Sequence, residues 1–235
     1  MDNKKREKRR EKCKNKKIIE IDTIIKILKK ETKKLKNPSV TMVSWDKTKN
    51  KPFNVLISCI LSLRTKDQTT IKAFQRLNKI AKTPEQLSKL PIKTIEKAIY
   101  PVGFYKTKAK RIKDISRVLI KDYNSKVPDE IDELLKLHGV GRKTANLVMT
   151  LGHGRLGICV DVHVHRISNR LGLLKTKNPH ETEFTLRKIL PKKHWIIYND
   201  LLVMWGQNIC TPVSPWCSKC PIYTHCKRVG VGKSR

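Results

Sequence analysis

Apolar residues recur at helical spacing along most of the chain. Ile21, Ile24, Ile25 and Leu28 mark one face of a first helix beginning near Ile18. The segment from Pro52 to Leu63 carries Phe53, Val55, Leu56, Ile57, Ile60 and Leu61 and is apolar nearly all round, the pattern of a helix buried on every side. Three helix starts read as capping boxes: Thr65 with Gln68, Thr83 with Gln86, and Asn178 with Glu181, the last two with proline in the first helical position. Further helices are expected from Pro91 to Ile99, Thr107 to Tyr123, Pro128 to Leu137 and Lys143 to Leu151. Val160, Val164, Ile167 and Leu171 form another apolar face, and Tyr198, Leu201, Leu202 and Trp205 a last one. No stretch alternates long enough to require a strand, so the expected class is all-α with short loops.

Two of these patterns meet at Gly139-Val140-Gly141, which reads as a helix, a very tight hairpin and a second helix with Lys143 in its first turn. The glycines permit the left-handed backbone such a turn needs. They also clear side chains from the place where the turn's amides and the positive end of the second helix face outward, which suits an anionic group such as phosphate. Glycine between paired helices also has a purely structural use; the lysine directly after it is what adds chemistry. Asp161 stands just before the helical pattern that begins at Val162, where it serves either as an N-cap or as a reacting carboxylate. His163 and His165 follow it.

Charge narrows the partner. Lys and Arg number 53 against 20 acidic residues, a formal charge of +33, and the natural partner is a polyanion. Nucleic acid fits best, because counterion release supplies affinity without sequence preference. Anionic membrane fares poorly: no apolar run reaches the roughly 20 residues that span a bilayer. Met1 to Lys17 hold ten Lys or Arg and read as a disordered basic tail, either a nucleic-acid arm or a solubilising leader. The N-terminus lacks the apolar core of a signal peptide, so an intracellular protein is expected. Seven cysteines then argue for thiols or metal ligation. Cys210, Cys217, Cys220 and Cys226 are spaced C-x6-C-x2-C-x5-C with three prolines between them. Structural zinc usually uses two separated C-x2-C pairs, and only one is present, which favours a [4Fe-4S] cluster. Cys59 and Cys159 sit in apolar surroundings and read as core.

Three segments together carry a specific likeness. Leu137-His-Gly-Val-Gly-Arg-Lys-Thr-Ala145, Val160-Asp-Val-His-Val-His-Arg166 and the four-cysteine loop, in this order and spacing, resemble the endonuclease III family of helix-hairpin-helix DNA glycosylases, from about Ile18 to Cys226. The resemblance implies two all-α lobes with the lesion site between them. A central helical lobe would span residues 45–155 with the hairpin motif at 130–151, and residues 18–44 plus 156–235 would form the iron-sulfur lobe. Lys143 matches the family's nucleophile, Asp161 its catalytic aspartate, and the four cysteines its [4Fe-4S] ligands. The implied partner is double-stranded DNA with damaged pyrimidines or abasic sites, bound by a monomer through Gly139, Val140, Gly141, Arg142, Arg64, Phe104 and His163. The implied activity is removal of an oxidised pyrimidine followed by β-elimination at the abasic site. A mismatch-specific glycosylase and a non-catalytic metal-bearing DNA-binding protein are the alternatives; Lys143 argues against the first, and the spacing of Lys143 and Asp161 against the second. Two departures stand out. His138 replaces a usual proline, and Arg64 stands where a glutamine often fills the gap left by the flipped base. Phe104 matches the family's apolar wedge, with an ordinary core aromatic as the competing reading.

Overall fold

A computed structural model describes residues 20–35 and 51–235. The expected basic tail, Met1–Lys17, and Trp45 lie outside the described residues. Among those residues every regular element is helical, and none is long and apolar enough to cross a membrane. The chain divides at Val160: residues 20–35 join Val160–Arg235 in one unit, and residues 51–159 form the other.

Helix α1 covers residues 20–32 and α2 covers Lys51–Ser62. The second unit is built around α2, whose residues from Phe53 to Leu61 are all buried. With no polar face to offer water, α2 has to be enclosed. Around it stand α3 (Asp67–Ile80), α4 (Pro84–Lys89), α5 (Ile92–Ile99), α6 (Tyr105–Tyr123), α7 (Ile131–Lys136) and α8 (Arg142–Leu147). Helices α3, α6 and α8 touch α2 directly, α4 and α5 pack on α6, and α7 packs on α8. One continuous apolar core results, from Phe53 to Cys159.

Two expectations shift. The capping box at Thr65 does not form: α3 starts at Asp67 after Lys66, without a side-chain cap. The Thr65 hydroxyl is instead taken by Leu63 O, Gly103 N and Lys108 Nζ. The helix expected to run to Leu151 is α-helical only to Leu147 and then widens into a π turn over Val148–Gly152. Thr150 Oγ1 donates to Asn146 O at 2.8 Å, taking the carbonyl that its own amide would use in an α-helix. The other two boxes form as read. Thr83 accepts from Gln86 N, Asn178 accepts from Glu181 N, and each partner's side chain reaches back to the amide just before the cap.

In the first unit, α9 (Val162–Arg170), α10 (Pro179–Ile189) and α11 (Trp195–Asn208) pack together, α9 touching both others. Ile21, Ile24, Ile25 and Leu28 of α1 are buried as a single face. A polar latch holds this helix. Lys193 Nζ donates to Asp22 Oδ2 at 2.7 Å, and His194 Nε2 meets Oδ1 at 2.6 Å.

Those two donors, Lys193 first, hold the Asp22 carboxyl below its ordinary value of 3.8. A carboxyl whose folded pKa is lowered contributes stability above its unfolded value and loses it as pH falls through the folded one. Asp22→Asn should therefore cost about 1 kcal/mol at pH 7, a small value because the pair is half-exposed. Below about pH 4 the variant and the parent should converge, as read from urea midpoints at stepped pH.

Candidate functional site

The hairpin's two glycines do different work. Gly139 has φ +79°, a left-handed conformation that this turn reserves for glycine, and the Arg111 side chain packs into the space a Cβ would take. Gly141 has φ −91° and ψ 173°, extended backbone that any residue adopts, and a Cβ added there would meet nothing within 4 Å. The expectation that both glycines serve a left-handed turn is thus corrected for Gly141. No contact within the fold requires glycine there. Between them Val140 is 5% exposed and plugs the turn into the core. Gly141 is the N-cap of α8 and no side chain caps that helix.

Lys143 is exposed in the first turn of α8, next to a half-buried Arg142. Its carbonyl faces Cys159 Sγ at 3.7 Å. Burial pushes the Cys59 thiol up to about 12, against the opposing pull of the Lys143 charge, so Cys59 is a core thiol and not a rival nucleophile.

Asp161 is an N-cap in fact. Its Oδ1 accepts from His163 N and Val164 N, each at 2.9 Å, and the residue is 8% exposed. Capping fixes the carboxylate without neutralising it, so the structural and chemical readings are compatible. His163 leans on α11 where Gly206 makes room: a Cβ on Gly206 would sit 2.4 Å from His163 Nδ1. Arg166 Nη2 donates to that Nδ1 at 3.1 Å, which leaves Nε2 as the position that carries the ring proton. The same Nη2 reaches Gly206 O and Cys210 O.

Arg64 and Phe104 both have left-handed backbone, φ 51° and 59°. The Arg64 guanidinium lies 5.8 Å from the Phe104 ring. Phe104 is 63% exposed, which removes the reading of it as a core aromatic.

Cys210, Cys217, Cys220 and Cys226 line one pocket with Trp205, Trp216 and Arg170. Among the described residues no three His, Cys, Asp or Glu side chains converge as ligands of a single ion. Hydrogen-bond donors nevertheless approach the sulfurs. Arg170 Nη1 lies 3.4 Å from Cys210 Sγ, and Arg228 N lies 3.4 Å from Cys226 Sγ. Trp205 Nε1 is buried there and is directed at Cys220. Arg170 also holds Thr211 O and Pro212 O, tying the loop to α9. Sequence reasoning missed Arg166, Arg170 and Lys108; in a chain with 53 basic residues, nothing local marks the few that are buried or half-buried.

Residues 57–192 match the HhH-GPD superfamily of base excision DNA repair proteins. The chain is 46% identical over 187 residues to Endonuclease III of Thermotoga maritima, covering 78% of this chain and 88% of that protein. It is 43% identical over 183 residues to the chloroplastic Endonuclease III homolog 1 of Arabidopsis thaliana, 74% of this chain but only 48% of that longer protein. A solved structure described as a trapped Endonuclease III-DNA covalent intermediate superposes with a TM-score of 0.73 at 35% identity, covering 88% of this chain and 96% of that one.

The contrast between the glycines is testable. Gly139→Ala should lower stability by about 1 kcal/mol, since the positive φ opposes a side chain. Gly141→Ala should leave the urea midpoint nearly unchanged while weakening binding to duplex DNA in a titration.

Proposed function

The chain belongs to the endonuclease III family of the HhH-GPD superfamily, and from that premise we propose that Lys143 is its nucleophile and Asp161 its catalytic carboxylate. The enzyme is a base-excision DNA glycosylase that removes oxidised pyrimidines from duplex DNA and cleaves the resulting abasic site. The observation that carries the residue assignment is the placing of an exposed lysine in the first turn of a side-chain-uncapped helix, two residues beyond a bare glycine.

In this mechanism the damaged nucleotide leaves the stack. Lys143 Nζ, as the free amine, attacks C1′, the C1′–N bond breaks and the base departs as its anion; the C1′–O4′ bond then opens, O4′ taking one of the amine's protons by way of Asp161, and an iminium to the lysine remains. Loss of a C2′ proton then expels the 3′ phosphate, and hydrolysis of the imine frees the amine. Asp161 stabilises the cationic sugar and accepts a proton, its Oδ1 held in place by two backbone amides. The hairpin amides at Gly139–Arg142 take a backbone phosphate, with Val140 anchoring the turn. His163 offers its Nε2 proton to the DNA, Arg64 fills the vacated space opposite the orphaned base, and Phe104 wedges the stack. The protein acts as a monomer inside the cell, wherever its DNA is kept.

Cys210, Cys217, Cys220 and Cys226 line a common pocket, and their C-x6-C-x2-C-x5-C spacing supports reading them as the four thiolates that would hold a [4Fe-4S] cluster. A bound cluster would cross-link the loop, and Arg170 Nη1, Arg228 N and the indole N–H of Trp205 would donate to the thiolates of Cys210, Cys226 and Cys220.

Borohydride should trap a covalent adduct on a thymine-glycol or abasic duplex, and Lys143→Gln should abolish it. Asp161→Asn retains a good cap, so its stability should stay within about 0.5 kcal/mol of the parent while turnover falls by about 10²-fold or more. An adduct persisting in Lys143→Gln would overturn the assignment. Separately, the purified protein should be yellow-brown with about four iron and four sulfide per chain; a colourless protein holding one zinc would refute the cluster.

A further inference from the structure

The loops that carry Arg64 and Phe104 are joined by a group that the proposed chemistry leaves unused. Lys108 of α6 is 3% exposed. Its Nζ donates to Leu61 O at 2.9 Å, Leu63 O at 2.5 Å and Thr65 Oγ1 at 3.2 Å. An ammonium has three protons to give, and here each has an acceptor. Leu61 lies in the last turn of α2 and Leu63 just beyond it, where a helix leaves carbonyls unsatisfied and its dipole favours a cation. Lys108 therefore caps α2 from a different helix. Burial, with the nearby Arg111 charge, pulls its pKa down to about 8. The three acceptors are what make so buried a cation tolerable.

The second strap runs through Thr65. Its Oγ1 donates to Leu63 O and accepts from both Lys108 Nζ and Gly103 N. Gly103 allows the two backbones to touch, since a Cβ there would lie 2.7 Å from Arg64 O. Directly above stand Arg64 and Phe104, two non-glycine residues in left-handed conformation. Such conformations persist where the surroundings over-determine them. A core that is fully hydrogen-bonded thus carries an outward-facing cation and aromatic ring on a single mount.

We propose that Lys108 is the positioning residue of the DNA-reading tip, fastening the Arg64 loop to the Phe104 loop so that both side chains enter the duplex as one preset pair. Lys108 itself does not touch DNA. The proposal rests on the reading of Arg64 and Phe104 as DNA-facing, and the experiment separates the two.

A duplex with 2-aminopurine beside a thymine glycol reports unstacking by its fluorescence. Lys108→Met keeps the length and removes the donors. It should lose most of the fluorescence rise and lower glycosylase kcat/KM by about 10- to 100-fold. Trapping at an abasic site that faces a gap, where no partner base must be parted, should suffer about tenfold less than on the full duplex. Thermal melting checks that the variant is folded at assay temperature. If it is not, Thr65 decides: Thr65→Ser should retain the signal, and Thr65→Val should lose it. Arg64→Ala and Phe104→Ala test the underlying reading. If both keep the full signal, that reading fails and the proposal with it. If they abolish the signal while folded Lys108→Met, or Thr65→Val in its place, keeps parental fluorescence and kcat/KM, the reading stands and the role of Lys108 is overturned.

Discussion

The enclosure of α2 is the constraint from which the second unit follows. A helix apolar on every face cannot lie on a surface, so three helices and a π turn are drawn around it. One of them, α8, thereby presents Lys143 at its outer start, with Cys59 of α2 buried beneath. The opposite cost of burying a helix is that its last carbonyls go with it. Lys108 answers that cost, and in doing so settles the conformation of Thr65 and of the residues on either side. Two features with different chemistry, an exposed lysine and an exposed arginine-aromatic pair, are thus set by one hydrophobic element.

In the first unit α9 has the corresponding role. Its start is capped by Asp161, its middle places Arg166 against His163 and Cys210 O, and Arg170 near its end holds the cysteine loop. The guanidiniums act here as multi-armed connectors, their planar forks spreading donors over several carbonyls. Positive charge, which over the whole surface favours a polyanionic partner, is turned at these few sites onto internal carbonyls.

What the sequence disclosed was local. The caps at Thr83, Asn178 and Asp161 were readable because a cap and its amides lie within three residues of one another. Gly139 was readable for the same reason, as a turn glycine between two helical patterns, whereas Gly141 proved extended. Thr65 misled because its hydroxyl answers to partners 38 and 43 residues away. The π turn was hidden behind an ordinary-looking Thr150, whose hydroxyl competes with its own amide. Arg64 and Phe104 gave no sign of left-handed backbone, since neither residue type favours it. Lys108 and Arg170 are buried for reasons that lie in other helices, and composition alone counts them as surface.

On the proposed reading of Arg64 and Phe104 as DNA-facing, a tip braced from within has little freedom to adapt when it meets DNA. Complementarity must then come from the other side of the encounter: the duplex bends, unstacks or refuses. Base steps already weakened by damage give way most readily. In such an arrangement the protein measures the mechanical compliance of DNA before any lesion-specific contact is made, and the hydrogen bonds of a single buried ammonium set how stiff that gauge is.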